Sequence, residues 1–212
     1  MAATSNLPPG LEGNYLETST GGDAAWLPIS VKKWYTNAFI VHEAVDPTTP
    51  GKILLGYKKR GFGAHLYNGF GGKVEPGETP AQAAARELKE ECGVEAPLQH
   101  CGSLLFVSQS GPEWAFQIEV YRADEYTGAL IETDEMRPQW FSTTPASTDA
   151  PAPADQGEEE LLPIPYDTMW PDDVYWIPLL LSKTPFIGRA DFEIDATGKY
   201  SMKRWWFGVP PS

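Results

Sequence analysis

The sequence predicts an α/β fold, and three observations carry that prediction. Short runs rich in β-branched and aromatic residues, WYTNAFIV from Trp34 and KILLGY from Lys52, have the length and composition of core strands. One segment, residues 79–93, carries the start signal, the apolar periodicity and the stop signal of a helix. Turn-forming clusters such as DPTTPG and the Thr197-Gly198 pair separate the strand-like runs at hairpin distances.

In chain order, residues 1–32 are rich in Gly, Ser, Thr and Pro and read as an N-terminal extension, with Leu16, Trp26, Leu27 and Ile29 able to pack on the domain surface. The two strands and the turn between them suggest a hairpin. Residues 58–72 then bring Gly61, Gly63, Gly69, Gly71 and Gly72, a composition that lets backbone approach a ligand and present amides to phosphate. In the helix, Thr79 suits the N-cap, Pro80 the first turn, Gln82 the capping box and Gly93 the stop. At about 100° per residue, Ala81, Ala84, Ala85, Leu88 and Cys92 form an apolar stripe, while Glu87, Glu90 and Glu91 gather on another face. Three neighbouring carboxylates repel unless something neutralises them. A solvated acidic face is the plain alternative; a hard divalent cation beside a glycine-rich, phosphate-binding loop is the functional one.

After the helix, residues 103–108 and 115–121 read as two more strands around a Gly-Pro turn, with Phe106 and Phe116 as core residues or pocket walls. The acidic run Glu132-Thr133-Asp134-Glu135 precedes a strand at 139–141. Residues 142–165 form a Pro/Ala/Glu-rich insertion unsuited to a core. Trp170-Pro171-Asp172-Asp173 opens a short helix with Pro178 expected in or near its first turn. Adjacent Asp172 and Asp173 could cap that helix, or share a proton against the aromatic face of Trp170 and bind a base edge. A closing hairpin spans 191–207, and 208–212 is a tail.

The spacing Gly72, Glu78, Arg86-Glu87-Leu88-x-Glu90-Glu91-x-Gly93-Val94 resembles the Nudix box, with every fixed position filled. KKRGFGAHLYNGFGGKVEPGET, ETDEMRPQWF and MWPDDVYWIPLLL further resemble the oxidised purine nucleoside triphosphate hydrolases, the MutT-like 8-oxo-dGTPases of that superfamily. The resemblance implies an α/β/α sandwich around a mixed β-sheet, over roughly 33–207. It implies hydrolysis of a nucleoside triphosphate such as 8-oxo-dGTP to the monophosphate and pyrophosphate, with Mg²⁺ or Mn²⁺ held by the Gly71 carbonyl, Glu87, Glu90, Glu91 and Glu135. Glu91 or Glu90 would then be the base, assisted by Glu135, and Arg86 would orient a glutamate. Thr36, Lys58, Phe62, Asn68, Phe106, Phe116, Trp170, Asp172 and Asp173 match the nucleotide pocket. Rival expectations are a Nudix enzyme for another diphosphate, such as a dinucleoside polyphosphate or ADP-ribose, or a nucleotide-sensing module without activity.

A formal charge of −13 argues against a nucleic-acid polymer or an anionic membrane as partner, while leaving room for a nucleotide delivered with its metal. No apolar run approaches membrane length. With Cys92 and Cys101 as the two cysteines and no leader-like N-terminus, the expectation is a cytoplasmic monomer with free thiols.

Overall fold

The computed structural model describes residues 7–45, 51–109, 114–144 and 161–211. Among these, nine strands form one mixed sheet: β1 (Leu16–Gly21), β2 (Lys32–His42), β3 (Lys52–Lys58), β4 (Tyr67–Asn68), β5 (Gln99–Gln109), β6 (Ala115–Ala123), β7 (Met136–Ser142), β8 (Phe186–Ile194) and β9 (Tyr200–Val209). The order is β1-β9-β8-β5-β6-β2-β3-β4, with β7 also on β3. The pairs β2/β6 and β5/β8 are parallel and the other pairs antiparallel.

Strand alternation builds two cores, one on each side. Phe39, Val41, Ile53 and Leu55 join Trp176, Ile177 and Leu180 of helix α2 (Asp173–Leu181), whereas Ile40 and Leu54 join Leu88 and Cys92 of helix α1 (Pro80–Cys92). Neighbouring residues of one strand therefore feed opposite layers, which makes the molecule the α/β/α sandwich expected.

Helix α1 keeps its predicted punctuation. Thr79 accepts from Gln82 N–H, the Gln82 side chain answers to Thr79 N–H, Pro80 opens the helix, and Gly93 closes it at φ 83°. The faces differ from the predicted stripes. Ala83, Ala84, Leu88, Glu91 and Cys92 are buried, while Ala81 and Ala85 are exposed. The three glutamates are also split, because the inward arc runs through 84, 88 and 91 and carries Glu91 into the sheet.

Four further expectations need correction. Residues 1–32 do more than extend the domain, since β1 pairs with β9 at the sheet edge; Leu27 and Ile29 pack on the domain as expected, joined by Leu11, against Leu105, Val107 and Ala115. Leu16 stays exposed, as its outward place on an edge strand allows. The tail boundary at 208 falls inside β9. Pro178 lies six residues into α2 rather than in its first turn; it is exposed, as is Val174, whose carbonyl loses its intrahelical donor to the proline ring on the solvent side. Much of the predicted insertion, 145–160, lies outside the described residues, as do 46–50 of the predicted DPTTPG turn and the Gly-Pro turn at 110–113.

Candidate active site

The loop between β4 and α1 is bonded along β2. Ala38 and Phe70 exchange two backbone hydrogen bonds, Thr36 N–H donates to Gly72 O, and Val74 N–H donates to Trp34 O. A Cβ on Gly71 would lie 1.9 Å from the Thr36 carbonyl oxygen, and one on Gly72 2.3 Å from Glu87 Oε1. Gly71 is therefore required by the closeness of loop and strand backbone, whereas Gly72 makes room for the Glu87 carboxylate.

That seating brings the charged residues of the box together. Arg86 grips Glu78 through Nε and a second guanidinium nitrogen at 3.2 and 2.7 Å, and its remaining nitrogen donates to Glu87 at 2.8 Å and Glu90 at 3.1 Å. Glu78 is itself fixed by Glu75 N–H at 2.7 Å. The fork of Arg86 thus ties the loop carboxylate to two glutamates of α1.

Glu91 Oε2 accepts Gly71 N–H at 2.8 Å, and its Oε1 faces Lys58 Nζ at 3.1 Å. Lys58 also reaches Glu135 Oε1 at 2.5 Å. Burial pushes the Glu91 carboxyl up to about 7 in spite of Lys58 and Gly71, and burial likewise raises Glu87 in spite of Arg86. Burial pulls Lys58 down, but Glu91 and Glu135 outweigh it and hold the ammonium protonated. The cluster carries more desolvated negative charge than its own cations neutralise, an environment that a hard divalent ion suits. Among the described residues no three carboxylate, imidazole or thiol side chains are gathered as a ready cage.

Beside this cluster opens a cavity of about 420 Å³. Lys58, Glu135, Gly71 and Gly72 line one part of it; Asn68, Asp173, Trp170, Phe62, Phe106 and Phe116 line the rest. Phe62 sits between Gly61 and Gly63, both at positive φ, and stacks between Phe116 and Trp170 with ring centroids 5.3 Å from each. Thr36 is at the wall too, although alternation sets its side chain on the face of Ala38, which packs on Ala84 of α1.

Asp172 and Asp173 do not share one role. Asp172 is fully buried and accepts from the Trp176 indole at 2.9 Å, with no capping bond, while Asp173 accepts Trp170 N–H at 3.0 Å and borders the cavity. Burial raises both carboxyls, and for Asp173 the neighbouring Asp172 adds to it. The helix-cap alternative fails for Asp172. Residues not singled out from the sequence also take part: Tyr35, Asn37, Trp114, Met136, Phe192 and Tyr200 line the same cavity. Tyr200 packs edge-on to Trp170 at 5.0 Å, so the closing hairpin braces the aromatic wall.

A mixed α/β sandwich with a capped helix presenting glutamates beside a glycine loop and an aromatic cavity defines a hydrolase of phosphate anhydrides. The chain belongs to the Nudix hydrolase family: the model of the NUDIX domain matches residues 36–163. It is 43% identical over 145 residues to an oxidized purine nucleoside triphosphate hydrolase of Danio rerio, covering 68% of this chain and 81% of that one. A Mus musculus protein of the same description is 41% identical over 156 residues, 73% of this chain and 88% of that one. A MutT mutator protein from Bacillus halodurans shares the fold at a TM-score of 0.54 and 18% identity, covering 81% of this chain and 97% of that one.

Proposed function

We propose that this chain hydrolyses oxidised purine nucleoside triphosphates, such as 8-oxo-dGTP, to the monophosphate and pyrophosphate. One observation carries the reading: a single aromatic-walled cavity joins base-edge groups, Asn68 and Asp173, to the Lys58, Glu135 and Glu91 cluster beside the glycine loop. The relatives described as oxidized purine nucleoside triphosphate hydrolases support it.

Nudix enzymes generally use a divalent metal. Here Glu87, Glu90, Glu91, Glu135 and the Gly71 carbonyl would hold Mg²⁺, or Mn²⁺ in its place, and the ion when bound neutralises phosphate charge and acidifies a water. The chain's own work is positional. Arg86 holds Glu87 and Glu90 toward the loop, Gly71 N–H aims Glu91, and Lys58 supplies a fixed positive charge at the phosphate end. Glu91 or Glu90 takes the proton from the attacking water, with Glu135 assisting. Trp170, with Phe62 packed against it, walls the purine, and Asp173 with Asn68 reads its edge, while Asp172 stands buried behind Asp173 on the Trp176 indole. Oxidation at C8 turns N7 from an acceptor into a donor, from which an ionised Asp173 accepts; the N7 of normal guanine is itself an acceptor and offers Asp173 no such bond.

The enzyme acts on free nucleotides as a cytoplasmic monomer, a reading supported by the net charge of −13 and by Cys92 and Cys101 standing as free thiols. No helix among the described residues is long and apolar enough to cross a membrane. The deciding experiment measures kcat/KM with Mg²⁺ for 8-oxo-dGTP, dGTP, a dinucleoside polyphosphate and ADP-ribose, with product identification. Pyrophosphate and monophosphate from 8-oxo-dGTP at the highest kcat/KM are expected; a preference for either diphosphate compound, or no metal-dependent turnover, overturns the proposal.

A further inference from the structure

Asn37 lies on β2 with its side chain on the cavity face and is 7% exposed. Its Nδ2 donates to Asn68 Oδ1 at 2.8 Å, and the same oxygen accepts the backbone N–H of Gly69 at 2.9 Å. The Gly69 N–H fixes both amides, because it can only donate: the Asn68 atom facing it is the oxygen, and the Asn37 atom facing that oxygen is therefore the NH₂. Both acceptor directions of Asn68 Oδ1 are thereby occupied. What Asn68 has left for a ligand is its NH₂, a donor without an acceptor beside it among the described residues. The arrangement leaves Asn37 Oδ1 buried and without a partner among the described residues. It also leaves no room after Asn68 for anything but glycine, since a Cβ at position 69 would lie 2.2 Å from Asn37 Oδ1. A buried amide that keeps one end unpaired while its other end holds a cavity residue is a site feature rather than packing.

On the reading that this cavity takes a purine, we infer that Asn37 is a specificity-determining positioning residue that locks Asn68 as a hydrogen-bond donor, so that the site demands a 6-keto purine and rejects a 6-amino one. The C6 oxygen of a guanine-type base accepts from the Asn68 NH₂. The C6 amino group of an adenine-type base would set donor against donor, and Asn68 cannot turn round without opposing Gly69 N–H and the Asn37 NH₂ together. The inference rests on the proposed function and sharpens it from oxidised purines to oxidised 6-keto purines.

The test measures kcat/KM for 8-oxo-dGTP and 8-oxo-dATP with the intact protein and Mg²⁺. Wild type should prefer 8-oxo-dGTP. Asn37→Leu, close in volume, removes one hold on Asn68 and should lower the preference about tenfold, the scale of one buried hydrogen bond. Asn37→Asp offers an oxygen in place of the NH₂, sets it against Asn68 Oδ1 so that only Gly69 N–H still holds the amide, and should lower the preference further, toward 8-oxo-dATP. A role in packing alone would change both nucleotides by one factor, so an unaltered ratio in folded, active variants overturns the inference, as does a wild type without preference. Should both variants melt below the assay temperature, Asn37→Ser takes their place: too short to reach Asn68 Oδ1, it should lower the preference about tenfold, and an unaltered ratio overturns the lock. Wild-type protein that hydrolyses neither nucleotide overturns the proposed function itself, and this inference with it, an outcome distinct from activity with an unaltered ratio.

Discussion

The acidic cluster and the base end of the cavity differ in how the chain builds them. All but two members of the cluster come from one stretch, residues 71–91, held by a helix with both ends capped, and its charges are cross-linked by Arg86 and Lys58. The base end draws on β2, β4, the loop at 61–63, β6, the start of α2 and β9, and its carboxyl, Asp173, like Asp172 behind it, is buried without an opposing cation in contact among the described residues. The cluster is suited to what all nucleoside triphosphates share, their phosphates. The base end is suited to what distinguishes them. The separation implies that turnover and selectivity respond to different substitutions.

Glu91→Gln should have the largest effect, a loss of about 10²-fold or more in kcat on every nucleotide alike, the range of a positioned acid-base group. The fold should survive, since the amide keeps the size of the side chain and removes a carboxylate that burial disfavours. The sign of its stability effect follows. A carboxyl whose folded value is raised to about 7 stabilises the fold below its unfolded value, and that contribution is lost as pH rises from the unfolded carboxylate range through about 7. The metal-free variant should therefore melt no lower than wild type at pH 8. A large drop in melting temperature there would show that Lys58 and Gly71 stabilise the carboxylate more than burial penalises it.

Asp173→Asn should come next, lowering the 8-oxo-dGTP to dGTP ratio of kcat/KM by about tenfold or more while leaving the Mg²⁺ requirement as it was. Both aspartates are raised by burial, so in the wild type the acceptor form gains ground as pH rises, and selectivity for a base presenting donors should rise with it. In the variant that rise should flatten, as a pH series of the ratio will show. Arg86→Lys should be milder, about tenfold in kcat with the ratio intact, because an ammonium cannot reproduce the fork that binds Glu78 and Glu87 together. Thr79→Ala should be smallest in function: about 1 kcal/mol of stability from the lost cap, read as a lower melting temperature, with unchanged kcat.

The same contrast decided what could be read from the sequence. Helix α1 and its caps, strands β2 and β3, and the closing hairpin were legible because each is specified by local pattern. Strand β1 was not: it is a short, Thr- and Ser-rich edge strand whose partner, β9, lies nearly the whole chain away. Glu91 groups with Glu90 on a helical wheel because the two flank Glu87 within one arc, yet the loop at 71–72 covers Glu91 and leaves Glu90 exposed. Trp170 and Asp173 stood out as a motif. Asn37 did not, since an asparagine inside an apolar strand gains its meaning from Asn68 and Gly69, which reach it only through the bonding of the loop along β2. Tyr200 and Phe192 were hidden in the same way, within a hairpin that looked like scaffold.

The separation of chemistry from base choice is tested most directly by measuring kcat/KM for 8-oxo-dGTP and dGTP in wild type, Glu91→Gln and Asp173→Asn over one Mg²⁺ titration. The account predicts that Glu91→Gln lowers both values by one common factor and keeps the wild-type ratio, whereas Asp173→Asn collapses the ratio at an unchanged Mg²⁺ midpoint. A ratio that moves as far in Glu91→Gln as in Asp173→Asn, or an Mg²⁺ midpoint displaced by Asp173→Asn, would contradict it.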